Sequence, residues 1–540
     1  MLFSWPVDAS IYAQPLYVPS VAIPGKGTHN VVYVVTMNDS VYAFDADSNT
    51  GANNTPLWSV NYTNAQAGIT AVPASDVQLA DEVDISGNIG IEGTPVINPA
   101  TYAMYFVART KENGTYVQRL HAIDIRSGAE LANSPTVITA SVTNTAGTLI
   151  PFDPKKQNQR VALTLANNLI YIVWASHNDI GPYHGWVMAF SPTTLQLSYV
   201  FNDTLDGGMG GIWQAGSGPT LDAAGNLYMG SGNGDWNGTT NFGQSVFKLS
   251  PQLTLLDYFT PDNWQVESGN DVDLGCGGLI VIPGTNLLLE GSKEGILYLL
   301  STQNMGHMVS GNTQIPQIFQ GATGHVHSGP TYYNSPALGP VIYIWSENDY
   351  LKAYHFNGST LDTTPVSQST FKDPLGMAGG FSTLSANGTT LGTALLWESL
   401  PLNGDAGHAV VPGVLRVFDA NDLTKELWDS HMAPDRDDVG NHAKDVPPLV
   451  ANGKVYLPTF SNRVNAYGLF TTPASLSETL STNRLTIAAG STASLTASVA
   501  PGGGFAGTVY FSASGLPAGV TAQFSPSTST ARSPVRPAWL

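Results

Sequence analysis

The sequence predicts an all-β protein, an eight-bladed β-propeller over residues 1–470 followed by a truncated, immunoglobulin-like β-sandwich module. Three observations support this fold class. Apolar strand patterns recur eight times, no long helical periodicity interrupts them, and the composition shifts to Ser, Thr, Ala and Gly after residue 472. A repeat of about 40 to 60 residues built from short strands is typical of propellers.

Each repeat centres on an apolar strand with a Tyr or Leu in its middle. These central residues are Tyr33, Tyr105, Tyr171, Tyr228, Leu288, Tyr343, Leu396 and Tyr456, at spacings of 53 to 72 residues. Most of these strands are followed by a turn and a second alternating strand such as SVYAFDADS, which indicates a β-hairpin. The repeats therefore predict eight blades, each a four-stranded antiparallel sheet.

The last repeat is one strand short, because it ends soon after its second hairpin strand, at residues 468–470. An additional strand pattern, residues 2–7, precedes the first repeat. We therefore expect the N-terminal strand to complete the last blade. Such closure leaves no exposed sheet edge that could pair with another chain.

Beyond the propeller, residues 471–476 are predicted to form a linker. Residues 477–540 carry alternating strands such as SLTASVA and GTVYFSAS, which indicate a partial immunoglobulin-like module. Residues 531–540 lose the alternation and become basic and Pro-rich, so we expect an irregular tail there.

Composition and charge exclude several classes of function. Lys and Arg number 21 against 40 Asp and Glu, and a net charge of -19 disfavours nucleic acid as a partner. Apolar runs of about 20 residues are absent, which disfavours membrane insertion. Only 11% of residues are charged, a composition typical of secreted β proteins, so we expect an extracellular or periplasmic monomer that acts on a small molecule.

Two loop segments supply the candidate catalytic histidines. The segment SHNDIGPYHGW contains His177 and His184, whose imidazoles suit a general base or a metal ligand. The alternative is a structural loop in which His177 bonds to Asp179. His325 and His327 of GHVHSG lie on one face of an extended segment, which suits zinc if a third ligand converges; satisfied core or channel histidines are the alternative.

A calcium site is predicted from Asp271 and Asp273, which lie two residues apart and face the same side of an extended chain, together with Asn233. An Asx-rich turn is the alternative interpretation. Cys276 lies among glycines and apolar residues, where we expect a packed thiol and not a nucleophile.

Charged and aromatic residues near the predicted channel are candidates for substrate binding. They are Glu92, Arg160, Trp213, Lys293 and Lys444. Glu92, Arg160 and Lys444 precede the apolar strand of their blade, where the innermost strands meet the channel. Ion pairing across the channel is the alternative role for these charges.

The repeat corners resemble those of the PQQ-like propellers, the quinoprotein alcohol dehydrogenases and their non-catalytic relatives. The likeness is closest in residues 212–233, IWQAGSGPTLDAAGNLYMGSGN, and 291–300, GSKEGILYLL. The resemblance implies that Asn233 binds calcium beside a quinone and that Lys293 contacts the quinone oxygens. It also implies an Asp where Ser292 stands, and a pair of adjacent cysteines that a chain with one Cys cannot form. PQQ is therefore not expected as a cofactor.

Three functions remain open. The preferred one is a calcium-supported hydrolase, in which the cation polarises a lactone or ester carbonyl while a histidine activates water. The chain also resembles soil-metagenome hydrolases of acyl-homoserine lactones, which implies lactone substrates. The alternatives are a non-catalytic scaffold that binds protein or glycan, and a degenerate quinoprotein alcohol dehydrogenase.

Overall fold

The computed structural model describes residues 1–374, 376–470, 475–502 and 505–532. Eight antiparallel sheets follow one another along residues 3–468, and each contains four strands bonded in succession, with two extra strands in the second sheet. The first strands of several neighbouring sheets contact each other, so the first strands line the central channel. The predicted eight-bladed propeller is therefore confirmed.

The strands of blades 1 to 4 are Leu16–Ile23, Gly27–Val35, Ser40–Asp45 and Trp58–Asn61; Val96–Asn98, Ala103–Glu112, Thr115–Asp124 and Thr136–Val137; Thr164–Ala166, Leu169–Trp174, Trp186–Phe190 and Leu197–Asn202; and Thr220–Leu221, Leu227–Gly230, Val246–Leu249 and Leu255–Phe259. Those of blades 5 to 8 are Ile280–Val281, Leu287–Gly291, Ile296–Ser301 and Gln317–Gln320; Thr331–Ser335, Gly339–Ile344, Tyr350–His355 and Ser367–Lys372; Phe381–Ser385, Leu395–Pro401, Gly413–Asp419 and Asp422–Asp429; and Leu449–Ala451, Lys454–Pro458, Arg463–Gly468 and, from the N-terminus, Phe3–Pro6.

A few additional elements decorate the ring. Strands Ile69–Pro73 and Asn88–Ile89 extend blade 2, and Ser141–Thr143 pairs with Leu149–Pro151 between blades 2 and 3. The helices are short: α-helices Trp264–Gly269 and Pro434–Asp437, and 3-10 turns Gly51–Asn53, Ala65–Ala67, Ala74–Asp76 and Ser310–Asn312.

All eight central residues of the sequence repeats lie in the second strand of their blade. These strands are apolar on both faces because each blade is packed between two neighbours. Val173 of blade 3, for example, shares one core cluster with Met229 and Phe247 of blade 4. The innermost strands are shorter, only Thr220–Leu221 in blade 4, and they carry little pattern of their own.

The last blade is closed by the N-terminal strand, as predicted. Strand Phe3–Pro6 pairs antiparallel with Arg463–Gly468, with Trp5 opposite Val464. Trp5 is 1% exposed and lies between Phe44 of blade 1 and Tyr456 of blade 8. The first and last parts of the propeller are therefore held together by one shared core.

One end of the ring gathers the candidate residues. Because strand direction alternates, the connections between blades and those between second and third strands open onto the same end, which we call the upper end. All twelve predicted site residues lie in these two kinds of connection.

C-terminal to the propeller, the described residues form two antiparallel strand pairs. Ser475–Leu480 pairs with Ala497–Gly502, and Ala506–Tyr510 pairs with Thr528–Arg532. Most of the predicted linker, residues 471–474, and the end of the predicted tail, residues 533–540, lie outside the described residues. Of the helices that are described, none has the length and apolarity to cross a membrane.

Candidate active site at the upper end

Lys293 joins two aspartates at the upper end of blade 5. Its Nζ lies 2.6 Å from Asp273 Oδ2 and 3.3 Å from Asp271 Oδ2. Lys293 belongs to the turn between the second and third strands, whereas both aspartates belong to the connection that enters the blade. Burial lowers the pKa of Lys293, but the charges of Asp273 and the other neighbouring acids outweigh burial and raise it. Lys293 therefore stays an ammonium ion.

The resemblance to quinoproteins implies a carboxylate beside the basic residue, and in the sequence Ser292 stands at that place. A carboxylate from another segment, Asp273, contacts Lys293 directly, but it does not occupy the place of Ser292. The first reason for not expecting PQQ is therefore unchanged. The second reason is unchanged, because Cys276 is the only cysteine of the chain.

The three predicted calcium ligands meet at this place. Asn233 Nδ2 donates to Asp271 Oδ1 at 2.6 Å, and the backbone N of Asn233 donates to Asp273 Oδ1 at 2.8 Å. Asn233 Oδ1 accepts a hydrogen bond from Gln244 Nε2 at 3.0 Å. With Lys293 included, all four carboxylate oxygens have a protein partner, so a calcium ion would have to displace Lys293. Calcium at these residues stays a prediction.

Gly232 allows this cluster to pack closely. A Cβ at position 232 would lie 2.1 Å from Asp273 Oδ1 and 2.9 Å from Trp213 Nε1. Trp213 Nε1 is buried and has no hydrogen-bond partner in the described part of the chain. The predicted substrate-binding Trp213 therefore stands directly beside the Lys293 cluster.

Cys276, His327 and Glu347 form a buried chain of contacts. Cys276 Sγ lies 2.6 Å from His327 Nδ1, and His327 Nε2 lies 2.7 Å from Glu347 Oε1. Burial lowers the pKa of His327, but its contacts with Cys276 and Glu347 raise it to about 10. The imidazole thus lies between the Cys276 thiol and the Glu347 carboxylate.

His325 lies on the outer side of this chain, with its side chain 44% exposed and Nδ1 3.5 Å from Glu347 Oε2. The backbone N of Glu347 donates to the His325 carbonyl at 3.1 Å, which holds the turn of blade 6 against the connection that enters it. Glu347 therefore lies beside both histidines, and zinc at these residues stays a prediction.

Arg160 adds a cation on the connection into blade 3. Its Nε donates to the Trp213 carbonyl at 3.2 Å, and its guanidinium lies 3.5 Å from Asp445 Oδ2. Burial lowers the pKa of Arg160, but the charges of Asp445 and then Cys276 outweigh burial and raise it. Arg160 and Lys293 are thus two charged groups at the upper end, and each is paired with a carboxylate.

Glu92 and Lys444 are buried without a close ion pair among the described residues. Glu92 Oε1 accepts from Asn158 Nδ2 at 3.3 Å, and burial raises the pKa of Glu92. Lys444 Nζ donates to the Gly407 carbonyl at 2.5 Å, and burial lowers the pKa of Lys444. Among the described residues, Arg160 therefore forms an ion pair, with Asp445, whereas Glu92 and Lys444 do not.

The structure does not bring His177 and His184 to the Cys276 chain. His177 Nε2 contacts the Arg109 guanidinium, and burial, reinforced by Arg109, lowers the pKa of His177 well below its usual value. His184 Nδ1 lies 3.0 Å from Thr204 Oγ1, away from both clusters. Asp179 does not bond to His177; its partners include Asn233, which donates at 3.4 Å.

Sequence reasoning missed two residues of the site, Glu347 and Cys276. Glu347 follows the second strand of blade 6 by three residues, as Asn233 does in blade 4, so its position in the repeat was an available signal. Cys276 was interpreted as packed. It is buried, but its sulfur contacts His327, a residue 51 positions further along the chain that no local pattern connects to it.

The fold and this site define the chain as an eight-bladed β-propeller with a polar upper end. No protein-family model and no curated protein matches it. Among solved structures it is similar to a quinohemoprotein alcohol dehydrogenase from Pseudomonas putida HK5, at 13% identity and a TM-score of 0.45 over 84% of this chain and 70% of the other.

Two further solved structures are similar at the same level. The quinohemoprotein alcohol dehydrogenase from Comamonas testosteroni has 13% identity and a TM-score of 0.45 over 84% of this chain and 71% of the other. A europium-containing methanol dehydrogenase has 14% identity and a TM-score of 0.39 over 84% and 76%. At these identities the similarity concerns the fold and not the chemistry.

Proposed function

We propose that the upper end of the propeller is the active site of a secreted hydrolase that acts on small lactones or esters, such as N-acyl-homoserine lactones. One observation carries the proposal. His325, His327 and Glu347 converge at a place that is open on the side of His325, and His327 also contacts the Cys276 thiol. Such a site combines groups that activate water with charges that stabilise an oxyanion.

In the proposed reaction, the acid–base residues and the cations of the site have different roles. A water oxygen attacks the carbonyl carbon while the Glu347 carboxylate accepts the water proton. The negative charge on the carbonyl oxygen is stabilised by Arg160 or Lys293. The ester C–O bond then breaks, and the leaving oxygen takes the proton, which yields a hydroxy acid from a lactone.

The test is titration of the acid released from lactones of different acyl length. Glu347→Gln should lower kcat by about 100-fold or more, in line with the usual contribution of acid–base groups. His355→Asn is the matched control, because His355 pairs with Asp362 at 2.9 Å in the same blade but at the opposite end. If wild-type protein releases no acid from any lactone or ester, the hydrolase proposal is wrong and a binding scaffold becomes the better explanation.

Calcium support is part of the proposal and has its own measurement. A chelator should abolish acid release, and added calcium should restore it. Since Lys293 engages the carboxylates of Asp271 and Asp273, we derive no step of the reaction through calcium at that place.

A quinone-dependent alcohol oxidation is the second candidate, because Asn233 and Lys293, the two residues for which the resemblance implies a role, both contact Asp273. The single cysteine leaves no adjacent pair to cap a quinone, so the residues do not match the group in full and we derive no step through it. Dye reduction with an alcohol, PQQ and calcium, without acid release from lactones, would favour this candidate.

We also propose that residues 477–540 belong to a partial immunoglobulin-like module on an exported, monomeric protein. The two strand pairs C-terminal to the propeller support a β module, and the low charged fraction supports export. Fractionation of the producing cells and sedimentation of the pure protein test these two points.

A further inference from the structure

Three metal-ligand side chains lie together at the upper end of blade 6. The nitrogens of His325 and His327 and a carboxylate oxygen of Glu347 are all within 4.8 Å of one another. Two histidines and one glutamate form a ligand set used by catalytic zinc sites, in which water takes the fourth position.

The two inner ligands are buried, and one ligand atom of each lacks a hydrogen-bond partner among the described residues. His327 is 2% exposed and Glu347 6% exposed, and neither His327 Nε2 nor Glu347 Oε1 has a partner with hydrogen-bond geometry among the described residues. The two atoms are 2.7 Å apart but are not aligned as donor and acceptor. Buried polar atoms of this kind usually have a partner, and a shared metal ion would satisfy both.

The opposite nitrogen of His327 is also occupied, which favours metal binding at Nε2. Cys276 Sγ lies 2.6 Å from His327 Nδ1. A histidine that binds a metal through one nitrogen usually hydrogen-bonds through the other, and this contact fixes the ring orientation. Cys276 is therefore a positioning residue for His327 in this arrangement.

The backbone holds the ligands in place before any ion arrives. The Glu347 N–H donates to the His325 carbonyl at 3.1 Å, and the Val326 N–H donates to the Ser292 carbonyl at 3.2 Å. His325 and His327 flank Val326 on an extended segment, so their side chains leave it on the same side. The half-exposed His325 leaves one side of the site open to water and substrate.

We propose that His325, His327 and Glu347 bind one divalent transition-metal ion of the zinc class, with an open position for water. Imidazole nitrogens select zinc, cobalt or nickel over calcium, which prefers oxygen ligands. This site is separate from the predicted calcium ligands around Lys293. Binding of the ion does not depend on the proposed function; only its role in activating water rests on that function.

Cobalt(II) absorption tests the site directly, because four-coordinate cobalt absorbs strongly in the visible range. Full-length protein without a histidine tag is freed of metal with a chelator and titrated with CoCl2. We expect one bound equivalent in the wild type and at least a 10-fold weaker affinity in Glu347→Gln and in His325→Asn. His325 is half-exposed, so its replacement should leave the fold intact, which far-ultraviolet circular dichroism checks.

Two controls define the location of the ion. The second group of possible ligands, Glu82, Asp84 and His408, is largely exposed, and Asn178 already donates to Asp84 at 2.8 Å. His408→Asn should bind cobalt as the wild type does. Asp273→Asn should do so as well, and a large excess of calcium should not displace the cobalt.

Several results would overturn the proposal: no cobalt spectrum in the wild type, loss of the spectrum in His408→Asn but not in Glu347→Gln, or displacement by calcium. Failure of the hydrolase proposal can be distinguished from failure of the metal-site proposal. Cobalt binding without acid release supports the site and contradicts the function, whereas acid release at full rate by metal-free protein contradicts the role of the ion.

Discussion

Replacement of Trp5 tests how the propeller is closed. Trp5 is 1% exposed and its ring lies 5.1 Å from Phe44 and 6.2 Å from Tyr456, so one side chain joins the first and last blades. Removal of a fully buried Trp side chain costs about 3–5 kcal/mol. We therefore expect Trp5→Ala to lower the free energy of unfolding by about that amount.

Urea unfolding followed by intrinsic fluorescence measures the loss. Tyr199→Ala is the control, since Tyr199 also lies on an outermost strand, in blade 3, but is 39% exposed. The control should change the free energy of unfolding by about 0.5 kcal/mol or less. If the free energy of unfolding of Trp5→Ala lies within about 1 kcal/mol of the wild-type value, the N-terminal strand does not close the ring through Trp5.

Deletion of residues 1–8 should lower the free energy of unfolding by more than Trp5→Ala does, because it also exposes the edge of Arg463–Gly468.

Two further predictions concern the buried charges. Glu398 is fully buried, its Oε1 accepts from Ser382 Oγ at 2.6 Å, and burial raises its pKa to about 8. Since the unfolded chain releases this proton near pH 4.5 and the folded chain keeps it to about pH 8, stability should fall with rising pH in that window, by up to about 1.4 kcal/mol per pH unit. In urea unfolding between pH 5 and 8, the free energy of unfolding of Glu398→Gln should fall less with rising pH than that of the wild type. Equal slopes in the two proteins would contradict the raised pKa of Glu398. Lys293→Met removes the cation from Asp271 and Asp273, so calorimetric titration should show tighter calcium binding than in the wild type; unchanged or weaker binding would place calcium elsewhere.

The ring could be predicted from the sequence because its second strands are packed on both faces. Val173 and Met229 illustrate this, since each contributes to a core shared by two blades. Apolar strands at regular spacing were therefore visible without a structure. The innermost strands of blades 4 and 5 could not be recognised, because two residues such as Thr220–Leu221 are too few to show a period.

The residue types of the site could also be predicted from the sequence, but the contacts between these residues could not. Asn233, Asp271 and Asp273 meet as expected, whereas Lys293 binds the two aspartates and so changes what they can bind. Cys276 was interpreted from its immediate neighbours, which are glycines and apolar residues. Its contact with His327 joins the connections that enter two neighbouring blades, and such a contact depends on how blades 5 and 6 pack and not on local sequence.

The repeat itself explains why chemistry gathers at the upper end. His177, Asn233, Lys293 and Glu347 each follow the second strand of their blade by two or three residues. These positions belong to the consecutive blades 3 to 6 and lie at the same end of the ring, although about 170 residues separate the first from the last. Substitution at this one position of each repeat changes the ligand set and leaves the blade core intact. The residue types at these positions, together with the inter-blade connections beside them, therefore determine which ligands the upper end can bind.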